Sequence, residues 1–128
     1  MLLIHILKII WALPNTALGV FIGLVSLCLG ARIRWRFPLE FYGGKIANYL
    51  TNSRHGEFAL AMTLGHVILG RSLAALDISH EHEMVHVRQY ERWGPFFLPA
   101  YFGWMLYLKL KGKDPYRDNP FEREAYGE

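Results

Sequence analysis

Apolar positions along this chain fall into three stretches with different periods, and the polar residues between them mark the turns. Residues 9–31 read IIWALPNTALGVFIGLVSLCLGA without a charged side chain. At about 1.5 Å per residue such a helix is long enough to cross a hydrocarbon core of about 30 Å. A transmembrane or membrane-embedded helix is therefore expected, with Pro14 and Asn15 breaking or kinking its first turns. A cleaved signal peptide is the competing reading. The length of the stretch and the poor cleavage sequence Leu29-Gly30-Ala31 speak against it.

Beyond this segment the pattern changes to period two. RIRWRFPLEFY, residues 32–42, alternates basic with apolar side chains as an interfacial strand or extended linker would, and Gly43-Gly44 marks a turn. In residues 58–69, FALAMTLGHVIL, large side chains at Phe58, Leu60, Met62, Leu64, His66 and Ile68 alternate with small ones, which predicts one strand. Its bare face, with Gly65 in it, suits close approach by another backbone or by a helix. A helix should then start near Asp77 or Ser79 and stop at Gly94-Pro95. Residues 95–108, PFFLPAYFGWMLYL, are apolar and aromatic but short for a span, which suggests an interfacial or re-entrant segment. Tyr101, Trp104 and Tyr107 fit the role of interfacial aromatics there. Asn119-Pro120 supplies an N-cap followed by proline at the first helical position, so a last helix should begin at Phe121.

The expected architecture is α+β: a membrane-embedded segment at residues 1–31, then a domain at 32–128 in which a strand or small sheet precedes the central helix. At 128 residues, 52% hydrophobic and 15% aromatic, the chain is more apolar than one small soluble domain requires. The net charge of +3 matters less than its placement, because Arg32, Arg34 and Arg36 follow one apolar stretch and Lys109, Lys111 and Lys113 follow another. That placement suits anionic headgroups and gives no support to nucleic-acid binding. By the positive-inside rule, it puts the C-terminal side of the first segment in the cytoplasm. Cys28, the single cysteine, allows no internal disulfide and reads as packing in an apolar segment.

Candidate chemistry lies in the central helix, at HEMVH, residues 82–86. Positions four apart share a helix face, so His82 and His86 can aim both imidazoles at one ion, and neutral imidazole suits zinc. Glu83 is offset by about 100°. That offset lets it serve as general base toward a metal-activated water without filling a coordination position. A catalytic zinc needs a third protein ligand, for which Glu122, Glu124 and His66 are candidates. His80 is less suitable, since it points to another side of the helix from His82, and a glutamate of the last helix is favoured. Gln89, seven residues after His82, is a candidate to support a ligand from behind. Tyr126, His66 and Arg123 are candidates to stabilise an oxyanion.

HEMVHVRQ followed a few tens of residues later by NPFEREAY resembles the gluzincin class of zinc metallopeptidases. In the membrane-bound branch of that class a second helix carries E-x-x-A-D, whose first glutamate is the third ligand. Glu122-Arg123-Glu124-Ala125-Tyr126 matches with Tyr126 in place of the aspartate, so the resemblance implies Glu122 as the ligand. The departure at Tyr126 removes the family's usual support for a ligand histidine, and that support must come from elsewhere. HExxHxxQ, with Gln89, is also similar to a small metallopeptidase-like domain of contractile injection systems. The HVRQYERWGP and NPFEREAY blocks resemble a group of short bacterial membrane proteins. Together these imply a membrane-anchored zinc metallohydrolase, foremost a peptidase, acting on a peptide or protein at the cytoplasmic membrane face. A lipid or cell-wall amide is the alternative substrate. A membrane-associated protein with a structural or regulatory zinc closed by four ligands is the non-catalytic alternative, and a scaffold that binds no metal is the third reading. If residues 95–108 crossed the bilayer, Glu122 and His82 would end on opposite sides and no such site could form.

Overall fold

The computed structural model describes residues 2–52 and 60–127. The element order is helix α1 (Leu2–Cys28), strands β1 (Arg32–Arg34) and β2 (Leu39–Tyr42), helix α2 (Gly44–Asn52), strands β3 (Ala61–Leu64) and β4 (Val67–Gly70), then helices α3 (Leu73–Ile78), α4 (His80–Trp93), α5 (Phe97–Leu110) and α6 (Pro120–Ala125). A 3-10 turn, Gly94–Phe96, joins α4 to α5. The fold is α+β, with one mixed four-stranded sheet in the order β1-β2-β4-β3. Strand β2 runs parallel to β4, and both outer pairs are antiparallel.

The single strand expected over 58–69 is instead a hairpin. Residues 58 and 59 lie outside the described residues, and the chain reverses at Gly65-His66, where Leu64 faces Val67. Gly65 has φ 61°, the left-handed conformation that a two-residue hairpin turn requires. The reversal shifts the alternation. Leu64 shares a core with Val67, Leu69 and Phe41, while Ile68, expected on the same face as Leu64, packs with Ala61 and Leu76 on the other side. Residues 32–42 likewise form a hairpin, β1–β2, and not a linker.

Helix α1 starts earlier than expected and passes through Pro14 without ending. Asn15 is no breaker: it is buried and donates through Nδ2 to the Gly94 carbonyl at 2.8 Å, while the Trp11 indole donates to the Arg92 carbonyl at 3.1 Å. One face of α1, made by Ala12, Asn15, Gly19, Gly23 and Ser26, lies against the domain. A Cβ at Gly19 would stand 2.8 Å from Val67 Cβ, and one at Gly23 2.3 Å from the Phe41 ring. Only glycine allows this approach, which brings α1 directly onto the sheet. The opposite face of α1 is exposed and apolar, and by length and composition the helix could cross a membrane.

The helix expected from Asp77 or Ser79 to Gly94 is α4, with Ser79 at its N-cap, and a short helix that was not expected, α3, precedes it. Ser72 caps α3, its hydroxyl accepting from Ala75 N at 3.0 Å, and α4 follows after Ser79. Gly94, with φ 57°, ends α4. At the far end Asn119 Oδ1 accepts from Phe121 N at 3.0 Å and Pro120 opens α6.

Candidate metal centre

Helices α4, α5 and α6 meet beside β3, and α4 and α6 direct ionisable side chains toward one another there. His82 and His86 lie one turn apart on α4, with ring centroids 4.9 Å apart. Their Nε2 atoms stand 3.1 and 3.0 Å from the same oxygen, Glu122 Oε1. The ligand atoms of these three residues lie within 4.8 Å of one another. Tetrahedral zinc, with bonds of about 2.0–2.2 Å, sets its ligand atoms roughly 3.3–3.6 Å apart, so the donor set fits such an ion in type and spacing.

Each ligand candidate is held from behind. His86 Nδ1 lies 2.8 Å from Gln89 Oε1. The Gln89 amide is oriented by two acceptors of its nitrogen, the Phe121 carbonyl at 2.9 Å and Glu124 Oε1 at 2.6 Å. Its oxygen must therefore face His86, which places a proton on Nδ1 and directs the Nε2 lone pair at Glu122 and any ion beside it. Gln89 is fully buried. Glu122 Oε2 accepts from the Tyr101 hydroxyl at 2.5 Å, and Asn119 Nδ2 donates to the Tyr101 carbonyl at 3.2 Å, which ties α5 to the start of α6. Tyr126, standing where the resembled family has aspartate, packs its ring 4.4 Å from that of His82 and meets Tyr116 hydroxyl to hydroxyl at 3.0 Å.

Glu83 is buried next to this cluster. Its Oε1 accepts from Thr63 Oγ1 at 2.7 Å, and Thr63 is itself fixed where its carbonyl accepts from the Tyr90 hydroxyl at 2.9 Å. Burial works against the charged form of His86, yet the hydrogen bond and charge of Glu122, with the charge of Glu83, outweigh it and hold the pKa above the ordinary value. Glu124 is shifted the other way. Its hydrogen bond from Gln89 comes first and lowers the pKa; desolvation opposes this, and Arg92 at 2.8 Å lowers it further.

A cavity of about 260 Å³ opens on this cluster. His82, Glu83, His86 and Glu122 form its polar end, and Phe97, Leu98, Phe102 and Met105 form an apolar wall. Of the sequence candidates, His82, Glu83, His86 and Glu122 come together, with Gln89 and Tyr126 behind them. Glu124 points to Gln89 and Arg92 instead of the triad. His66 sits in the β3–β4 turn with Nε2 2.9 Å from Glu91, and His80 Nδ1 lies 3.5 Å from Arg36. Arg123 is exposed on α6 and does not line the cavity.

Several cavity residues were missed, Thr63 beside Glu83 among them. Tyr101, expected at a lipid interface, is buried and bonded to Glu122, and Tyr116 lines the cavity from the loop before α6. Tyr101 falls four residues after Phe97, a helical spacing that marks an inward face. The aromatic richness of the whole segment concealed it. No family model matches this chain, and no curated protein or solved structure matches it.

Proposed function

We propose that this chain is a membrane-associated zinc metallohydrolase of the gluzincin type, acting as a peptidase at the cytoplasmic face. The observation that carries the reading is the convergence of His82, His86 and Glu122 on one point at the polar end of a cavity, with Glu83 alongside. In this reading the three residues hold the ion, which would acidify a water and polarise a carbonyl. Glu83 takes the proton from water and later delivers it to the leaving amine. Thr63 fixes one carboxylate oxygen of Glu83, leaving the other for that transfer. Gln89 and Tyr101 keep His86 and Glu122 in one orientation.

Among the described residues three candidate ligands converge beside a cavity, which supports a reactive site over a closed structural one that would need a fourth. Strand β3, last in the sheet order, carries Thr63 next to Glu83, so an extended peptide added to that strand would pass the metal. Lys109 in the last turn of α5 and Lys111 and Lys113 just beyond it are suited to anionic headgroups. Hydrolysis of a peptide library by the zinc-loaded protein, run beside Glu83→Gln, tests the reading. Glu83→Gln should retain zinc and lose turnover by at least 100-fold, in line with the loss of a general base, about 10²–10⁴. Equal hydrolysis by Glu83→Gln would refute the mechanism.

A further inference from the structure

Helix α1 carries its polar residues on one side only. At 100° per residue, His5, Lys8, Asn15, Thr16 and Ser26 fall within an arc of about 100°, and Ala12, Gly19 and Gly23, which touch the domain, fall in the same arc. The other side, centred on Leu3, Ile10, Phe21 and Cys28, is apolar for the whole length of the helix. Among the described residues, thirteen large exposed hydrophobic side chains belong to α1 and five to α5. Monomeric soluble proteins rarely expose apolar patches beyond a few hundred Å².

A spanning helix does not suit this packing. Charged groups accompany α1 along its domain face: Arg92 carries the carbonyl bonded to Trp11, and Glu91 pairs with His66, whose backbone N–H donates to Thr16 Oγ1 at 3.0 Å. Lys45 N bonds the Leu29 carbonyl at 3.4 Å just past the other end. With α1 upright in a bilayer, these groups and the sheet that carries Arg34, Glu40 and Arg36 would enter hydrocarbon. Ionised side chains there cost at least about 2.5–3.5 kcal/mol each, and strand edges would lose their solvent partners.

We propose that α1 lies along the plane of a single leaflet, apolar side in the acyl chains and polar side under the sheet, so that the protein enters one face of the bilayer without crossing it. The occupant is an anionic lipid surface. No acidic residue lies within residues 1–39 or between Trp93 and Lys113, and Lys8, Arg32, Lys109, Lys111 and Lys113 stand at the ends of the two apolar segments, with Glu91 beside Arg92 before the second. The 3-10 turn before α5 meets α1 where Trp11 and Phe96, both exposed, pack at 5.9 Å, which continues the apolar surface from α1 toward α5.

The test is a depth profile in phosphatidylcholine–phosphatidylglycerol vesicles. An environment-sensitive fluorophore is placed on Cys28 of the unaltered chain, and on Leu3→Cys, Ile10→Cys and Phe21→Cys in a Cys28→Ser background, then quenched by lipids spin-labelled at known depths. These positions share one face, and the first and last are separated by roughly 38 Å along the axis. An in-plane helix gives one depth, within about 5 Å, at all four. A profile deepest in the middle and shallow at both ends, the signature of a span, would overturn the proposal. So would absence of quenching with a concentration-dependent dimer in sizing experiments, which would make a second copy the occupant. The unaltered chain labelled at Cys28 reports a depth even if a variant folds poorly. The readout is independent of metal binding and hydrolysis.

Discussion

Replacing Gln89 by leucine keeps its volume and removes the acceptor on which the orientation of His86 depends. Gln89 Oε1 is 2.8 Å from His86 Nδ1, and the amide is buried, so no water can take its place without rearrangement. Loss of such a partner behind a ligand histidine costs about 10–100-fold in metal affinity, or about 1.4–2.7 kcal/mol. Zinc competition titration against a chromophoric chelator should show that drop. The reverse polarity gives a sharper test. Gln89→Glu offers His86 a stronger acceptor but sets a carboxylate against Glu124 Oε1, which lies 2.6 Å from the present amide nitrogen, and against the Phe121 carbonyl. Affinity should fall in Gln89→Glu and recover when Glu124→Gln is added, because the new amide can donate to the new carboxylate. A Gln89→Leu protein that binds zinc within twofold of the original would refute the claim that Gln89 sets the tautomer of His86.

Tyr101→Phe removes a donor from buried Glu122 Oε2 and should weaken zinc about tenfold in the same titration and destabilise the metal-free protein by about 1–3 kcal/mol. Zinc affinity should also rise with pH. The folded-state pKa of His86 lies above 6.5, so in metal-free protein its contribution to stability is present below about pH 6.5 and is lost as pH rises through the folded value. Over that same range zinc displaces the proton less and less, and affinity should gain up to about tenfold per pH unit below the folded pKa, measurable by calorimetry at several pH values. Asn15→Leu leaves the Gly94 carbonyl without its donor in a buried contact and should destabilise the protein by about 1–3 kcal/mol in thermal or denaturant melts.

The local parts of this architecture were legible in the sequence. The 3.6-residue period places His82 and His86 on one face, Asn119-Pro120 announces α6, and an uncharged run announces α1. The missed parts depend on distant contacts. Asn15 reads as a break because a polar residue in an apolar run has no local partner, and its partner Gly94 is 79 residues away. The hairpin at Gly65 was read as one strand because large side chains recur at every second position through Leu64, His66 and Ile68, whereas the turn pairs Leu64 with Val67 and sends Ile68 to the other face. Glu122 and Glu124 differ by about 200° around α6, so one faces the histidines and the other cannot, but the sequence contains no direction for that helix. Gln89 was visible only by its position on the His82 face. The contact that gives it a role comes from α6.

Metal content by elemental analysis tests the central claim most directly, on full-chain protein purified in detergent without chelator and reloaded with zinc, beside His86→Ala, Glu122→Ala and Glu124→Ala. About one zinc per chain, lost with His86 or Glu122 and kept without Glu124, is the predicted result. No bound zinc in the unaltered chain, or full retention in Glu122→Ala, would contradict the assignment.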